Sequence, residues 1–428
     1  MNGNGVSRRN FLKGAAIAGS AFFPNIVPST VFGANAPSNR IVMAGVGMGG
    51  MGSGNMRSFL SKQEVQFVAV CDVDAGHLKN AKEAVDKKYG TTDCKTYHDY
   101  REVIARGDLD AISMATPDHW HALIACAALR AGIDMYGEKP ITHDLREGRV
   151  LADICKKFGR VWQTGSWQRS QENFHLAAEL VRNGRVGKIH TVEVGLPDGH
   201  PGEVKPVEPV PAEMDWDFWL GPTAWRPYQG VLHWNWRWVL DWGGGQMMDW
   251  IGHHADIAQW GLGTQETGPV EIESNGCELP TDGVYDAPVA YKFTATFANG
   301  VKMIVANAKQ QPKGMGARWI GDRGWIWVDR SGIDAEPKSL LRERIGPNEI
   351  HLYKSRDHHQ NFLDCVRTRR VTITPAEVAH RSASVGHLGQ IAMMTGRKIR
   401  FNPATEEILG DPGASAMLGR ACREPWVL

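Results

Sequence analysis

Imbalance of charge is the first thing this chain lacks. It carries 48 Lys+Arg against 47 Asp+Glu over 428 residues, a formal net charge of +1, so nothing favours nucleic acid or an anionic membrane as partner. Long apolar runs are missing too: no stretch approaches the roughly 20 residues that span a bilayer, and no membrane span is expected. Cysteine is sparse and unpaired in pattern. The seven (Cys71, Cys94, Cys126, Cys155, Cys277, Cys365 and Cys422) include no CxxC, and most sit in apolar contexts such as AVCDVD and LIACAAL. They read as buried thiols rather than a disulfide framework or zinc site, and no metal is expected. Internal repeats are absent, and biased composition is confined to a Pro-rich loop at 200–213. What remains, 42% hydrophobic and 22% charged, is an ordinary globular composition. It is long enough for two domains, with a small molecule as the default partner.

The N-terminus is read separately. Ser7-Arg8-Arg9-Asn10-Phe11-Leu12-Lys13 precedes a mild apolar run, Gly14 to Phe23, and then Ala34-Asn35-Ala36. This is the pattern of a twin-arginine signal with a small-residue cleavage site over residues 1–36, and it predicts export to the periplasm in the folded state. A membrane anchor is the weaker alternative, because the run is too short to span.

From residue 39 the pattern alternates β-branched runs with helical periods: RIVMAGV, VQFVAVCDVD, DAISMAT and DMYGEK are each followed by an amphipathic segment. Such alternation predicts βαβ units on a parallel sheet, ending near RVWQTG, so residues 37–165 are expected to form a Rossmann domain. Segments that alternate apolar and polar follow (KIHTVEVGL, VEIESNG, AYKFTATF, VKMIVANA, WIWVDR), with an Asn299-Gly300 hairpin signal. Residues 166–428 are therefore expected to be an α+β domain with a large, mostly antiparallel sheet, and helices are expected over 357–369 and 375–395. The fold class is α/β in the first half and α+β in the second.

Gly45-x-Gly47-x-x-Gly50, with Met48 and Gly49 inside the turn, follows a predicted strand and opens a predicted helix, and Asp72 ends the next strand. Glycines permit close backbone approach to a pyrophosphate at a helix N-terminus, and an acid at that strand end accepts the adenosine ribose hydroxyls. Asp72 would repel a 2′-phosphate, so NAD is expected rather than NADP.

Gly137-Glu138-Lys139-Pro140 closes a later parallel strand, where open α/β sheets form their ligand crevice. Further on, GGGQMMDWIGHHAD places Asp249 and His253 four apart on one helix face. An acid, an imidazole and an amine suffice to move an alcohol proton. Asp249 with His253 also reads as a surface i,i+4 pair, or less favourably as two metal ligands. Between Trp216 and Trp260 lie nine of the chain's 16 tryptophans, a composition suited to a carbohydrate pocket or, for about half of them, to core packing. Arg169, Trp236 and Arg237 are the candidates for substrate contact.

Together these motifs resemble the family of glucose-fructose oxidoreductase, inositol dehydrogenase and MocA. The resemblance runs from the Gly-rich turn through Ala115-Thr116-Pro117-x-x-x-His121 and Glu-Lys-Pro to the Asp-x-x-x-His helix and Gly396-Arg397. It implies that Lys139, Asp249 and His253 serve catalysis. His253 would be the acid/base on the reacting hydroxyl, Lys139 would polarise that oxygen, and Asp249 would position substrate or cofactor. Thr116, Pro117, His121 and Glu138 would line the nicotinamide pocket. The implied activity is NAD-dependent oxidation of a hydroxyl of a sugar or glycoside, in a homo-oligomer. Outside the cytoplasm no NAD pool exists, so the cofactor is expected to stay bound and to be restored in place, by a second carbonyl sugar. Two alternatives stand beside this: a redox-neutral glycoside hydrolase, whose branch of the superfamily departs from the pattern at the lysine, and a non-catalytic sugar-binding protein.

Overall fold

The structure, a computed structural model, describes residues 39–230 and 233–428; the signal-peptide reading of residues 1–36 lies outside them. Residues Ile41–Leu428 form one compact unit.

Six strands make the first sheet: β1 Ile41–Val46, β2 Val65–Cys71, β3 Lys95–Tyr97, β4 Ala111–Met114, β5 Asp134–Gly137 and β6 Trp162–Thr164. Their order is β3-β2-β1-β4-β5-β6, and every pairing is parallel. Near-continuous burial of β1, β4 and β5 is what a parallel sheet covered by helices on both faces requires. The covering helices are α1 Gly50–Leu60, α2 Ala75–Tyr89, α3 Asp118–Arg130 and α4 Leu145–Lys157. Sequence chemistry sets their starts: Asp74 and Asp144 accept the His77 and Glu147 backbone N–H groups as N-caps. The strand order reverses between β1 and β4, so the carboxyl ends of β1, β2 and β4 open one crevice.

After β6 and α5 Glu172–Arg182 the chain builds a second sheet of nine strands: β7 Ile189–Leu196, β8 Glu271–Glu278, β9 Ala290–Thr296, β10 Lys302–Asn307, β11 Gly316–Gly321, β12 Gly324–Asp329, β13 Gly332–Glu336, β14 Ile399–Asn402 and β15 Glu407–Ile408. The order is β13-β12-β11-β7-β10-β9-β8-β14-β15. Only β7 with β10 is parallel, so the sheet is mixed and mostly antiparallel. Alternating burial in β9 shows one face packed and one more open.

Helix α6 Gly245–Leu262 joins the two halves. It is buried on nearly all sides, so its sequence carries no clean amphipathic stripe. Trp319 of β11 donates its indole N–H to the Ala258 carbonyl at 3.0 Å, and a side chain at Gly261 would meet that indole at 2.6 Å. At its other end, a Cβ at Gly252 would come 3.1 Å from Lys139, and Ser166 bonds the Gly252 carbonyl at 2.7 Å. The C-terminal helices α7 His358–Thr368 and α8 Ala376–Thr395 complete the packing. Phe362, Leu363 and Cys365 of α7 join the core beneath β1 and β2, and Thr374 bonds the Thr164 carbonyl at the end of β6.

Four of the seven thiols (Cys71, Cys94, Cys126 and Cys365) are buried as expected, Cys155 and Cys422 are half-buried, and Cys277 is exposed on β8, a correction to the buried-thiol reading. All seven are free. Of the tryptophans, Trp216, Trp219, Trp238, Trp242 and Trp260 are buried, whereas Trp225 and Trp234 are exposed.

Many imidazoles are packed as core. His254 lies among Phe174 and Trp250 with neither ring nitrogen bonded among the described residues, and burial holds its pKa down at about 3. Burial likewise lowers His119, His358 and His387 to about 3 and His121 to about 4. Between those values and the ordinary 6.5, the unfolded chain binds protons that the folded chain refuses. Stability is therefore lost as pH falls through that window, at about 1.4 kcal/mol per pH unit for each imidazole inside it. Glu147, raised to about 7, and Asp118, raised to about 8, both chiefly by burial, act in the opposite sense but are fewer. The thermal midpoint is expected to fall between pH 7 and pH 5; a flat midpoint over that range would contradict this account.

Candidate active site

The crevice at the β1/β4 reversal is a cavity of about 500 Å³. Gly47, Gly49 and Gly50 form one wall, Asp72 sits at one end, and Thr116, Pro117, Glu138 and Lys139 lie toward the other. Gly47 has φ +79°, and a Cβ there would meet the Ala115 carbonyl at 2.7 Å; a Cβ at Gly52 would strike the Gly47 carbonyl at 1.7 Å. Backbone is thus drawn against backbone, and the N-terminus of α1 opens into the cavity with no acidic residue in its first turn. That end of the helix suits an anion. At the far end the Thr116 hydroxyl is buried without a partner among the described residues, a group waiting for a polar ligand atom. Cradle, strand-end carboxylate and orphaned hydroxyl together fit a dinucleotide.

The second feature lies at the Lys139 end. The Lys139 ammonium donates to the Asp249 carbonyl and to its Oδ1, each at 2.7 Å, and Arg237 Nε donates to the same Oδ1 at 3.0 Å. All three side chains are largely buried. Burial works to raise the Asp249 pKa, but Lys139 and Arg237 prevail and hold it below the ordinary carboxylate value. One turn along α6, His253 is 5% exposed and its Nδ1 has no partner among the described residues. Burial first, then the charges of Lys139 and Arg330, keep its pKa well below 6.5, so the ring is neutral at pH 7. Trp236 and Arg237 reach the cavity wall, with the guanidinium 3.9 Å from the Trp234 ring centroid and 4.5 Å from that of Trp236.

The pattern of an oxidoreductase family NAD-binding Rossmann fold matches residues 40–166. That of the same family's C-terminal alpha/beta domain matches residues 200–428, more than half the chain. The chain belongs to the Gfo/Idh/MocA oxidoreductase family. Residues 40–166 are an NAD-binding Rossmann fold. It is 24% identical over 301 residues to the uncharacterized oxidoreductase YrbE of Bacillus subtilis, covering 69% of this chain and 75% of that protein. It is 28% identical over 175 residues to a glycosyl hydrolase family 109 protein of Shewanella baltica, covering 36% of this chain and 37% of that one. Among solved structures, the glycerol complex of the aldose-aldose oxidoreductase of Caulobacter crescentus superposes on 85% of this chain and 100% of its own. The TM-score is 0.62 at 19% identity, a likeness of fold.

Within this Gfo/Idh/MocA chain, several sequence-selected residues lie elsewhere than expected. Arg169 does not line the cavity. It is 2% exposed and holds Asp256 through two hydrogen bonds of 2.6 and 2.7 Å, with its guanidinium over Trp260. A buried bidentate pair of this kind leaves no edge for a substrate. His121 lies behind the cavity wall, its ring nitrogens 2.7 and 2.9 Å from the Pro140 and Thr116 carbonyls, so it positions the pocket backbone rather than lining it. Gly45 and Met48 also shape the turn from behind: a Cβ at Gly45 would press on Met48 Sδ at 2.7 Å. The Met48 N–H donates to Asp72 Oδ2 at 2.5 Å, so Asp72 braces the glycine turn as well as facing the cavity.

Sequence reasoning overlooked Asp118, which lines the cavity and whose pKa is pushed up to about 8 by burial foremost and by Asp249. It sits inside the Thr-Pro-x-x-x-His motif, and only its burial distinguishes it. His77, 3.4 Å from Asp72 and also on the wall, was likewise hidden, since an exposed-face helix residue gives no signal of its own.

Because Gly47 lies at positive φ against the Ala115 carbonyl, Gly47→Ala should abolish measurable NAD binding in fluorescence titrations. Asp72→Ser should weaken NAD about tenfold or more and narrow its preference over NADP. An unchanged NAD/NADP ratio in Asp72→Ser would remove Asp72 from cofactor selection.

Proposed function

We propose that this protein oxidises a hydroxyl of a sugar or glycoside with NAD that stays bound through the cycle. The observation that carries the reading is the buried Lys139–Asp249–Arg237 contact at the inner end of the dinucleotide cavity, with neutral His253 one helical turn away. NAD, when bound, supplies the acceptor for the hydride that leaves the carbinol carbon as its hydroxyl becomes a carbonyl. An ammonium has three N–H donors, and two of those of Lys139 are directed at Asp249. The third is available to the reacting oxygen. Asp249 holds Lys139 in orientation, and Arg237 anchors Asp249 from the other side. His253, neutral and with its Nδ1 unbonded among the described residues, takes the hydroxyl proton. The tryptophans beside Arg237 offer flat apolar faces to a pyranose ring.

Support for retention of the cofactor comes from the Ser-Arg-Arg segment at 7–9, read as a twin-arginine export signal. A periplasmic enzyme has no nucleotide pool, so a second, carbonyl sugar takes the hydride back in the same site. Likeness to an aldose-aldose oxidoreductase agrees with such a pairing. Similarity to glycosyl hydrolase family 109 proteins favours one second reading, a redox-neutral hydrolase in which oxidation is followed by elimination of an aglycone.

Protein purified without added nucleotide and then denatured should release NAD or NADH in stoichiometric amount, identified by chromatography and mass; an empty protein overturns in-place recycling. Release of aglycone from an aryl glycoside by the protein alone would select the hydrolase. Exchange of Arg8 and Arg9 for lysine should trap the precursor in the cytoplasm.

For the wild type, the acid limb of kcat/KM should lie below 6.5, because the His253 pKa is lowered and its basic form survives acidification. His253→Ala should lose that limb together with about 10²-fold or more of kcat. A wild-type limb above 6.5 would deny His253 the role of base.

A further inference from the structure

A second group of side chains surrounds His253 and takes no part in the dinucleotide cavity. Trp167 lies in the short turn after β6, Trp250 on α6 next to Asp249, and Arg330 in the turn between β12 and β13. The Arg330 guanidinium lies over both indoles, 4.5 Å from the Trp167 centroid and 4.4 Å from that of Trp250. The same two rings flank the His253 imidazole, at 6.3 and 5.4 Å. Gln168 ties the pair together. In the amide orientation that satisfies its neighbours, its oxygen accepts from Arg330 Nε at 3.0 Å and its nitrogen donates to the His253 carbonyl at 3.1 Å.

Arg330 is exposed, yet its orientation is determined by two rings and one amide. The charges also do not balance. Lys139 and Arg237 share the single carboxylate of Asp249, while Arg330 has no acidic group within 4.0 Å among the described residues. Asp118 and Glu138, the other acids toward the Lys139 end of the cavity, both have their pKa pushed up, by burial foremost. A positive site remains, with the terminal N–H groups of one guanidinium unclaimed among the described residues. That planar fork matches the two coplanar oxygens of a carboxylate.

We propose that Arg330, stacked on Trp167 and Trp250 beside His253, docks a carboxylate of the substrate, and that the sugar this protein oxidises is a sugar acid, a hexuronate or a glycoside of one. The inference rests on the sugar-oxidoreductase reading and adds the substrate class to it. Arg330 here decides specificity; Lys139 and His253 carry the proton chemistry.

The test uses the full mature protein with its bound dinucleotide, and titrates D-glucuronate, D-galacturonate, D-glucose and D-glucose 6-phosphate while following tryptophan fluorescence. A hexuronate should bind at least about tenfold more tightly than glucose and than the phosphate, with an affinity that falls as salt rises. Arg330→Gln should erase that preference, weakening the hexuronate about 30-fold or more with no change in dinucleotide content, which reports that the fold is intact. Arg330→Lys, which keeps the charge and loses the fork, should recover only part of it. Equal binding of hexuronate and glucose, tighter binding of the phosphate, binding of none of the four, or a hexuronate preference untouched in Arg330→Gln would each overturn the proposal. The two readings fail separately. Hexuronate bound through Arg330 without any change in nicotinamide absorbance would sink the oxidoreductase reading alone. Nicotinamide reduction by neutral sugars, with no hexuronate preference, would sink the carboxylate dock alone.

Discussion

The ion pair between Lys139 and Asp249 holds this structure's chemistry together. Lys139 comes from the carboxyl end of a strand in the first sheet, and Asp249 from the buried helix that packs on the second. Two charges removed from water lose solvation worth several kcal/mol each, and their attraction recovers it only with close geometry and satisfied remaining bonds. Here the geometry is close, at 2.7 Å, and the carboxylate takes a second cation, Arg237. Withdrawing Asp249 would leave two buried cations without their shared acid, a loss of about 3–5 kcal/mol in comparable cases, whereas withdrawing Lys139 would leave the carboxylate on Arg237 alone. The pair therefore fixes how the helix sits on the strand end. In doing so it determines where His253, one turn further on, presents its ring.

The dinucleotide cradle depends on a different constraint, the exclusion of side chains. At Gly47 and Gly52 the backbone approaches other backbone so closely that any Cβ would collide, and this lets the start of α1 open toward the anion it is to hold. Asp72 then acts in two ways: it faces the cavity and accepts the Met48 N–H that closes the turn. A residue chosen for ligand recognition also maintains the shape of the loop that recognises it. Desolvation keeps the imidazoles of the core neutral, but they do different things: His254 fills space, His121 braces the pocket backbone, and His253 lies one helical turn from the Lys139–Asp249 pair.

Much of this was legible along the chain. Periodicity alone separates the parallel sheet from the later, mostly antiparallel one, because strands buried on both faces read as apolar runs and half-exposed strands read as alternation. The glycine turn, Asp72, Lys139, Asp249 and His253 are legible because each stands in a short motif whose local geometry implies its task. Arg169 misled for the opposite reason. A lone arginine carries no local mark of whether its guanidinium meets a ligand or a buried acid, and its partner Asp256 is 87 residues away. Arg330 and Trp167 gave no signal at all, and Trp250 only its place in the tryptophan-rich segment, since they come from a hairpin turn, a short helical turn and a buried helix that only packing unites.

By itself, then, the sequence determined the two kinds of sheet, the anion cradle at the first strand–helix turn and the spacing of acid and imidazole on one helix. These follow from forces acting within a few residues: steric freedom at glycine, the 3.6-residue turn and the apolar period. Tertiary structure alone decided which charges meet. It gave Asp249 to Lys139 and Arg237, enclosed Arg169 with Asp256, placed His121 behind the pocket wall, and left Arg330 stacked beside His253 with no acid within 4.0 Å among the described residues. Electrostatic partnership depends on distance through space and on exclusion of water, and neither is written in the order of residues.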